Sequence, residues 1–159
     1  MTRALALGMA SLATLCMAAP SFAQVKPVAS APTNWKDVTL DLMSVERKGS
    51  VLTVKWAVRN AGAKSENVQF ALSGKNMTTY LVDEESGTKY YALTDKEKNT
   101  LASEHTYIGA DAYGIQGSLA AGGTSRYWAK FPAPPAAVKS INIFFTNSDP
   151  FEGVAITDK

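Results

Sequence analysis

The sequence is short of cysteine, histidine and long apolar runs, and each shortage removes a class of function. Cys16 is the only cysteine. It lies inside an N-terminal stretch that reads as a removable leader. Without it the chain has no thiol nucleophile, no disulfide and no zinc–cysteine site, even in a compartment where disulfides form. His105 is the only histidine, so a catalytic triad or a histidine-based metal site would have to be assembled around it alone. Met43 and Met77, the two methionines beyond the leader, stand at no recognisable metal-binding spacing from it, and a blue-copper centre would lack its cysteine. No serine sits in a G-x-S-x-G elbow. The expectation is therefore no catalytic residue, no metal and no cofactor.

Charge is equally sparing. The chain carries 16 basic and 14 acidic side chains for a formal net charge of +2, with the signs interspersed. That balance leaves no electrostatic footprint for nucleic acid or an anionic membrane. Beyond Ala23 no run approaches the ~18 consecutive apolar residues of a transmembrane helix, so no membrane span is expected.

Residues 1–23 have the grammar of a secretory signal peptide: Arg3, an apolar stretch from Ala4 to Ala19, the helix-breaking Pro20, then Ser21-Phe22-Ala23. Cleavage is expected between Ala23 and Gln24, which places the product in the periplasm or outside the cell. Lipid attachment at Cys16 is disfavoured by Leu15, which is bulky where a lipoprotein signal carries a small residue. Residues 24–34 (QVKPVASAPTN) are rich in Pro, Ala and Ser without periodicity, and read as an extended spacer. Residues 35–159 form one domain, long enough for a real core.

Within that domain the dominant signal has period two. Val38, Leu40 and Leu42 alternate with Thr39 and Asp41. In VLTVKWAVRN, Leu52, Val54, Trp56 and Val58 face one way and Thr53, Lys55, Ala57 and Arg59 the other. A helix would place Lys55 and Arg59 on the face of Val51 and Leu52, so a half-buried strand fits better. Val68, Phe70 and Leu72 alternate again. The stretches 79–83 and 88–93 read as a hairpin whose four-residue turn, Glu84 to Gly87, closes on a left-handed glycine. Strands are expected over 124–131, 138–145 and 151–156. The pattern predicts an all-β, antiparallel Ig-like β-sandwich of about seven to eight short strands, with a closed barrel as the alternative.

Several segments also resemble a known family. VKWAVRNAG (54–62), YLVDEESGTKYYALTD (80–95), LAS (101–103), SLAAGGTSRYWAKFPAPP (118–135) and DPFEGVAI (149–156) are similar, in that order, to exported bacterial Ig-like β-sandwich domains of unknown function. The resemblance implies an Ig-like sandwich outside the cytoplasm and supplies no catalytic residues. The chain departs from the family pattern in a longer stretch over 104–117. Nor does a second, wall-binding domain follow Ile156.

Candidate sites are few. Asp83, Glu84 and Glu85 cluster, but they flank one hairpin turn, whereas a glycosidase pair must face across a cleft and calcium needs six or more oxygens. They read as a solvated turn. Pro132, Pro134 and Pro135 lie between two strand patterns and read as a stiff corner rather than a polyproline ligand. The stretch Glu104 to Gly117, with its glycines, reads as the longest loop, and its binding candidates are His105, Tyr107, Asp111, Tyr113 and Ile115. Aromatic residues on a sandwich end loop suggest a contact surface, against the plainer reading that they plug the sandwich. The expected function is a non-enzymatic binding or adaptor module of the bacterial cell envelope, recognising a protein or envelope polymer. An inhibitor or accessory chaperone of a secreted enzyme is the alternative. A metal or small-molecule carrier centred on His105 is a third.

Overall fold

A computed structural model describes residues 26–74, 78–109 and 111–159. The signal-peptide reading over 1–23 and Met77 lie outside the described residues. Among those described there are twelve β-strands and no helix: β1 (Ala29–Pro32), β2 (Val38–Lys48), β3 (Val51–Asn60), β4 (Glu66–Ser73), β5 (Tyr80–Asp83), β6 (Thr88–Tyr91), β7 (Thr106–Gly109), β8 (Ala112–Leu119), β9 (Thr124–Pro132), β10 (Ser140–Phe144), β11 (Phe151–Ala155) and β12 (Thr157–Asp158). None of the described residues belongs to a helix long and apolar enough to cross a membrane. The all-β class and the β-sandwich expected from the sequence are found, with twelve strands rather than the expected seven to eight and with one parallel pair.

One layer is the sheet β1-β2-β3-β9. Its alternation is the one read from the sequence: Leu52, Val54, Trp56 and Val58 are fully buried, while Lys55 and Arg59 are exposed. β2 and β3 join through a two-residue turn, Lys48 pairing with Val51 and Gly49 taking φ 58°, a conformation that costs glycine little. Two strands share the outer edge of β2. β1 runs antiparallel against Thr39–Leu42, and β12 runs parallel against Glu46 and Arg47. Ala29–Pro32 therefore belongs to the sheet and not to a spacer. Its small residues show no alternation, but β2 offers an edge that must be paired.

The second layer consists of β11-β10-β5-β6 and β4-β8-β7. They meet at Ala71, whose carbonyl accepts from the Thr79 N–H (2.7 Å) and whose N–H donates to Thr146 Oγ1 (3.1 Å). The expected β5–β6 hairpin is present, with Asp83 paired to Thr88 and Gly87 at φ 66°. Asp83, expected in a solvated turn, is instead buried. It accepts from the Glu85 N–H (3.2 Å) and from Ser86 Oγ (2.6 Å) and so stitches the turn.

The layers close over one core drawn from all three sheets. Trp56 is its centre, with its ring centroid 4.9 Å from Phe145 and 6.1 Å from Phe70 and Tyr127. Burying each Leu, Ile, Val or Phe contributes roughly 1.5–3 kcal/mol, and the aromatic pairs add about 1 kcal/mol each. The outer edge of β9 is covered from within the chain over Trp128–Lys130. Leu93 and Ser103 donate to the carbonyls of Lys130 and Trp128, and Lys130 donates to Leu101. The proline segment forms the corner expected of it, carrying the chain from the end of β9 at Pro132 to β10 at Ser140.

Candidate functional site

The stretch 104–117 is a hairpin rather than a loop. β7 pairs only with β8, Thr106 opposite Gly114 and Tyr107 opposite Tyr113, and β8 pairs on its other side with β4. The glycines that broke the sequence periodicity do sheet work. Gly109, at φ 91°, enters the turn. At Gly114 an added Cβ would lie 2.0 Å from the Phe70 carbonyl oxygen, so only glycine lets β4 and β8 approach there.

This hairpin brings three of the five candidate residues together. The His105 and Tyr113 rings stack with centroids 4.8 Å apart and planes 6° from parallel, and Tyr107 meets Tyr113 edge-on at 5.5 Å. Directly opposed residues on paired strands project from the same face, which is why Tyr107 and Tyr113 touch. Both remain open to solvent, Tyr107 at 59% and Tyr113 at 42%. His105 is half-buried, and its orientation is fixed: Nδ1 accepts from the Thr100 N–H at 2.9 Å. In the neutral ring this leaves the hydrogen on Nε2. The Thr100 hydroxyl beside it is buried with no hydrogen-bond partner among the described residues.

The other two candidates stand apart. Ile115 is fully buried opposite Phe70 and belongs to the core. As part of a loop it looked available for contact, but as a strand residue its place is under the opposing layer. Asp111 is exposed beside the turn at φ 58°, without a hydrogen bond or ion pair among the described residues. No three His, Cys, Asp or Glu side chains gather closely enough to hold a metal ion among the described residues. The cluster's chemistry is thus aromatic contact plus one N–H donor.

A second aromatic row, half-buried at Phe144 and Tyr80 and exposed at Tyr91, escaped the sequence reading. Phe144, Tyr80 and Tyr91 are consecutive cross-strand partners on β10, β5 and β6. Tyr80 stacks on Phe144 at 4.9 Å, and Lys89 Nζ lies 4.6 Å above the Tyr80 ring. These rings stand against one another and shield each other's faces, which makes them a cross-strand brace. The sequence signal was available in the alternation of Tyr80 and Val82 with Leu81, but the pairing of three distant strands was not.

No protein-family profile and no curated protein matches the chain. Among solved structures, it is similar to an inactive mutant of a GH20 exo-β-N-acetylglucosaminidase from Vibrio harveyi. Identity is 15% and the TM-score 0.38, over 77% of this chain and 18% of that one. The chain spans less than a fifth of that enzyme, and so slight a likeness carries no argument about activity.

Proposed function

We propose that the chain is an exported, non-enzymatic Ig-like binding module of the bacterial cell envelope, and that it recognises a protein or envelope polymer through the aromatic end of the β7–β8 hairpin. The observation that carries this reading is the solvent-open pair Tyr107 and Tyr113, with Tyr113 stacked on the half-buried His105, prearranged by strand pairing and by the hydrogen bond to His105. Tyrosines already held in place contribute contact area at little cost in entropy. Export rests on the leader-like residues 1–23 and on the family resemblance.

The test is quantitative capture from native envelope extract with the immobilised domain as bait, comparing the parent with a Tyr107→Ala/Tyr113→Ala variant. Recovery of the principal captured species should fall at least ten-fold in the variant, with the thermal midpoint unchanged within a few degrees. Equal recovery by both proteins would overturn the hairpin as the binding element.

A further inference from the structure

The outer face of the five-stranded sheet carries a groove unrelated to the hairpin. Strand alternation places Asp41, Ala57 and Arg126 in one outward row, and Ser44, Lys55 and Trp128 in the next. Ala57 contributes only a methyl group between long neighbours and floors the depression. The β2 ladder also breaks its register between Leu42 and Ser44, a bulge at Met43 that re-aims the strand. The result is two adjoining hollows of about 490 Å³ and 410 Å³ that share Met43 and Arg126.

The groove's charges are mostly settled within it. Asp41 accepts from Ser30 Oγ at 2.6 Å and pairs with Arg59 at 3.3 Å. Glu46 is held by Lys55 and Lys159, each at 3.0 Å. Arg126, exposed on β9, has no ion pair and no side-chain hydrogen bond among the described residues, and neither has Lys26 at the far end. The charge left over is positive. Beside Arg126 stands Trp128, 36% exposed, with Lys130 Nζ 5.7 Å from its ring.

We propose that this groove binds a carboxylate-bearing sugar chain, with a pyranose ring laid against the Trp128 indole and its carboxylate on the Arg126 guanidinium. The two side chains rise two residues apart on one strand, roughly 7 Å along it, so one acidic sugar reaches both. The groove crosses four strands, about 14 Å at the usual strand spacing, the reach of a short oligosaccharide. An extended peptide would seek free backbone N–H and C=O groups at a sheet edge. Here β2 and β3 have a strand on each side, and the outer edge of β9 is covered at Trp128 and Lys130 by residues 93 and 101–103. Around Trp128 the face therefore offers side chains rather than free backbone, which favours a sugar.

The inference does not rest on the hairpin reading, and its test separates the two. Trigalacturonate is titrated calorimetrically into the full domain in low salt, with maltotriose as the neutral probe and tetraglutamate as the acidic peptide. Saturable binding of trigalacturonate is expected, at least ten-fold tighter than maltotriose and weakened by added salt. Arg126→Ala and Trp128→Ala should each lose at least ten-fold. Trp128→Phe should retain part of the affinity, and the Tyr107→Ala/Tyr113→Ala variant all of it. Absence of saturable binding overturns the proposal, as does binding indifferent to Arg126 and Trp128. Tetraglutamate bound as tightly through the same residues would replace the sugar with a peptide and overturn it too.

Discussion

Arg47 is a buried cation whose place the sequence gives no hint of. It ends the inner row of β2 with its side chain 6% exposed, and its guanidinium gathers the proline corner. Nη1 donates to the carbonyls of Pro134 (3.1 Å) and Pro135 (2.8 Å), Nη2 to those of Ala136 (3.5 Å) and Val138 (3.1 Å), and Nε to Asp158 Oδ1 (2.6 Å). Proline cannot donate to a ladder, so a proline corner leaves carbonyls with few backbone partners. A planar fork with five N–H groups answers several of them at once. Replacing Arg47 by Ala strands those carbonyls and removes the buried partner of Asp158, at an expected loss of about 3 kcal/mol in urea-unfolding stability. Arg47→Lys keeps the charge without the fork, and about 2 kcal/mol should be lost. If Arg47→Lys unfolds within experimental error of the parent, charge rather than fork geometry holds the corner.

At the scale of elements, the strands legible in the sequence are those whose pairing and pattern agree. β3 and β9 alternate along their length, and β2 does so up to its bulge at Met43, because one face meets the core and the other faces outward. β1 was illegible because ASAP has no alternation to show, and it is a strand only because β2 presents an edge. The β7–β8 hairpin was hidden by its glycines, which read as loop punctuation when met one after another in sequence. That misreading exposed Ile115, which is in fact core, while it singled out the stretch that carries the exposed Tyr107 and Tyr113. Their contact with each other and with His105 depends on a register that no local pattern encodes. The outward Arg126 and Trp128, by contrast, followed from the same alternation that buried Tyr127 and Ala129. Two glycine substitutions test the distinction between space and conformation. Gly114→Ala drives a methyl group into the Phe70 carbonyl and should cost about 3 kcal/mol, by forcing β4 and β8 apart. Gly87→Ala meets nothing within 4 Å and should cost only about 1 kcal/mol, from its φ of 66°. Equal losses in chemical denaturation would show that the β4–β8 approach is not tight.

For the molecule as a whole, the closure that matters joins residues far apart in sequence. β12 lies parallel to β2, and Asp158 and Lys159 tie it there through three ion pairs, to which Lys55 adds a fourth on Glu46 within the sheet. Arg47 and Lys139 converge on Asp158, while Lys159 and Lys55 converge on Glu46. The hydrogen bonds from Lys159 and Lys55 bring the Glu46 carboxyl down from 4.5 to about 2, and Arg47, then Lys139, lower that of Asp158. A carboxyl depressed in the folded state contributes stability that is complete above its unfolded pKa and disappears as pH falls through the folded value. For Glu46 that window runs from about pH 4.5 down to about 2. Its side chain is 19% exposed, and with solvent screening the contribution is about 1–2 kcal/mol. Above pH 5, then, stability should be nearly flat with respect to this group, and it should decline below. Glu46→Gln should be less stable than the parent at pH 6 by about that amount, and the difference should close as pH approaches 2. Thermal midpoints of both proteins, measured from pH 6 to pH 2 at low ionic strength, decide the matter. Curves that stay parallel throughout would mean that the lysines around Glu46 do not hold β12 to the sandwich, and that the closure rests on Arg47 and the backbone ladder alone.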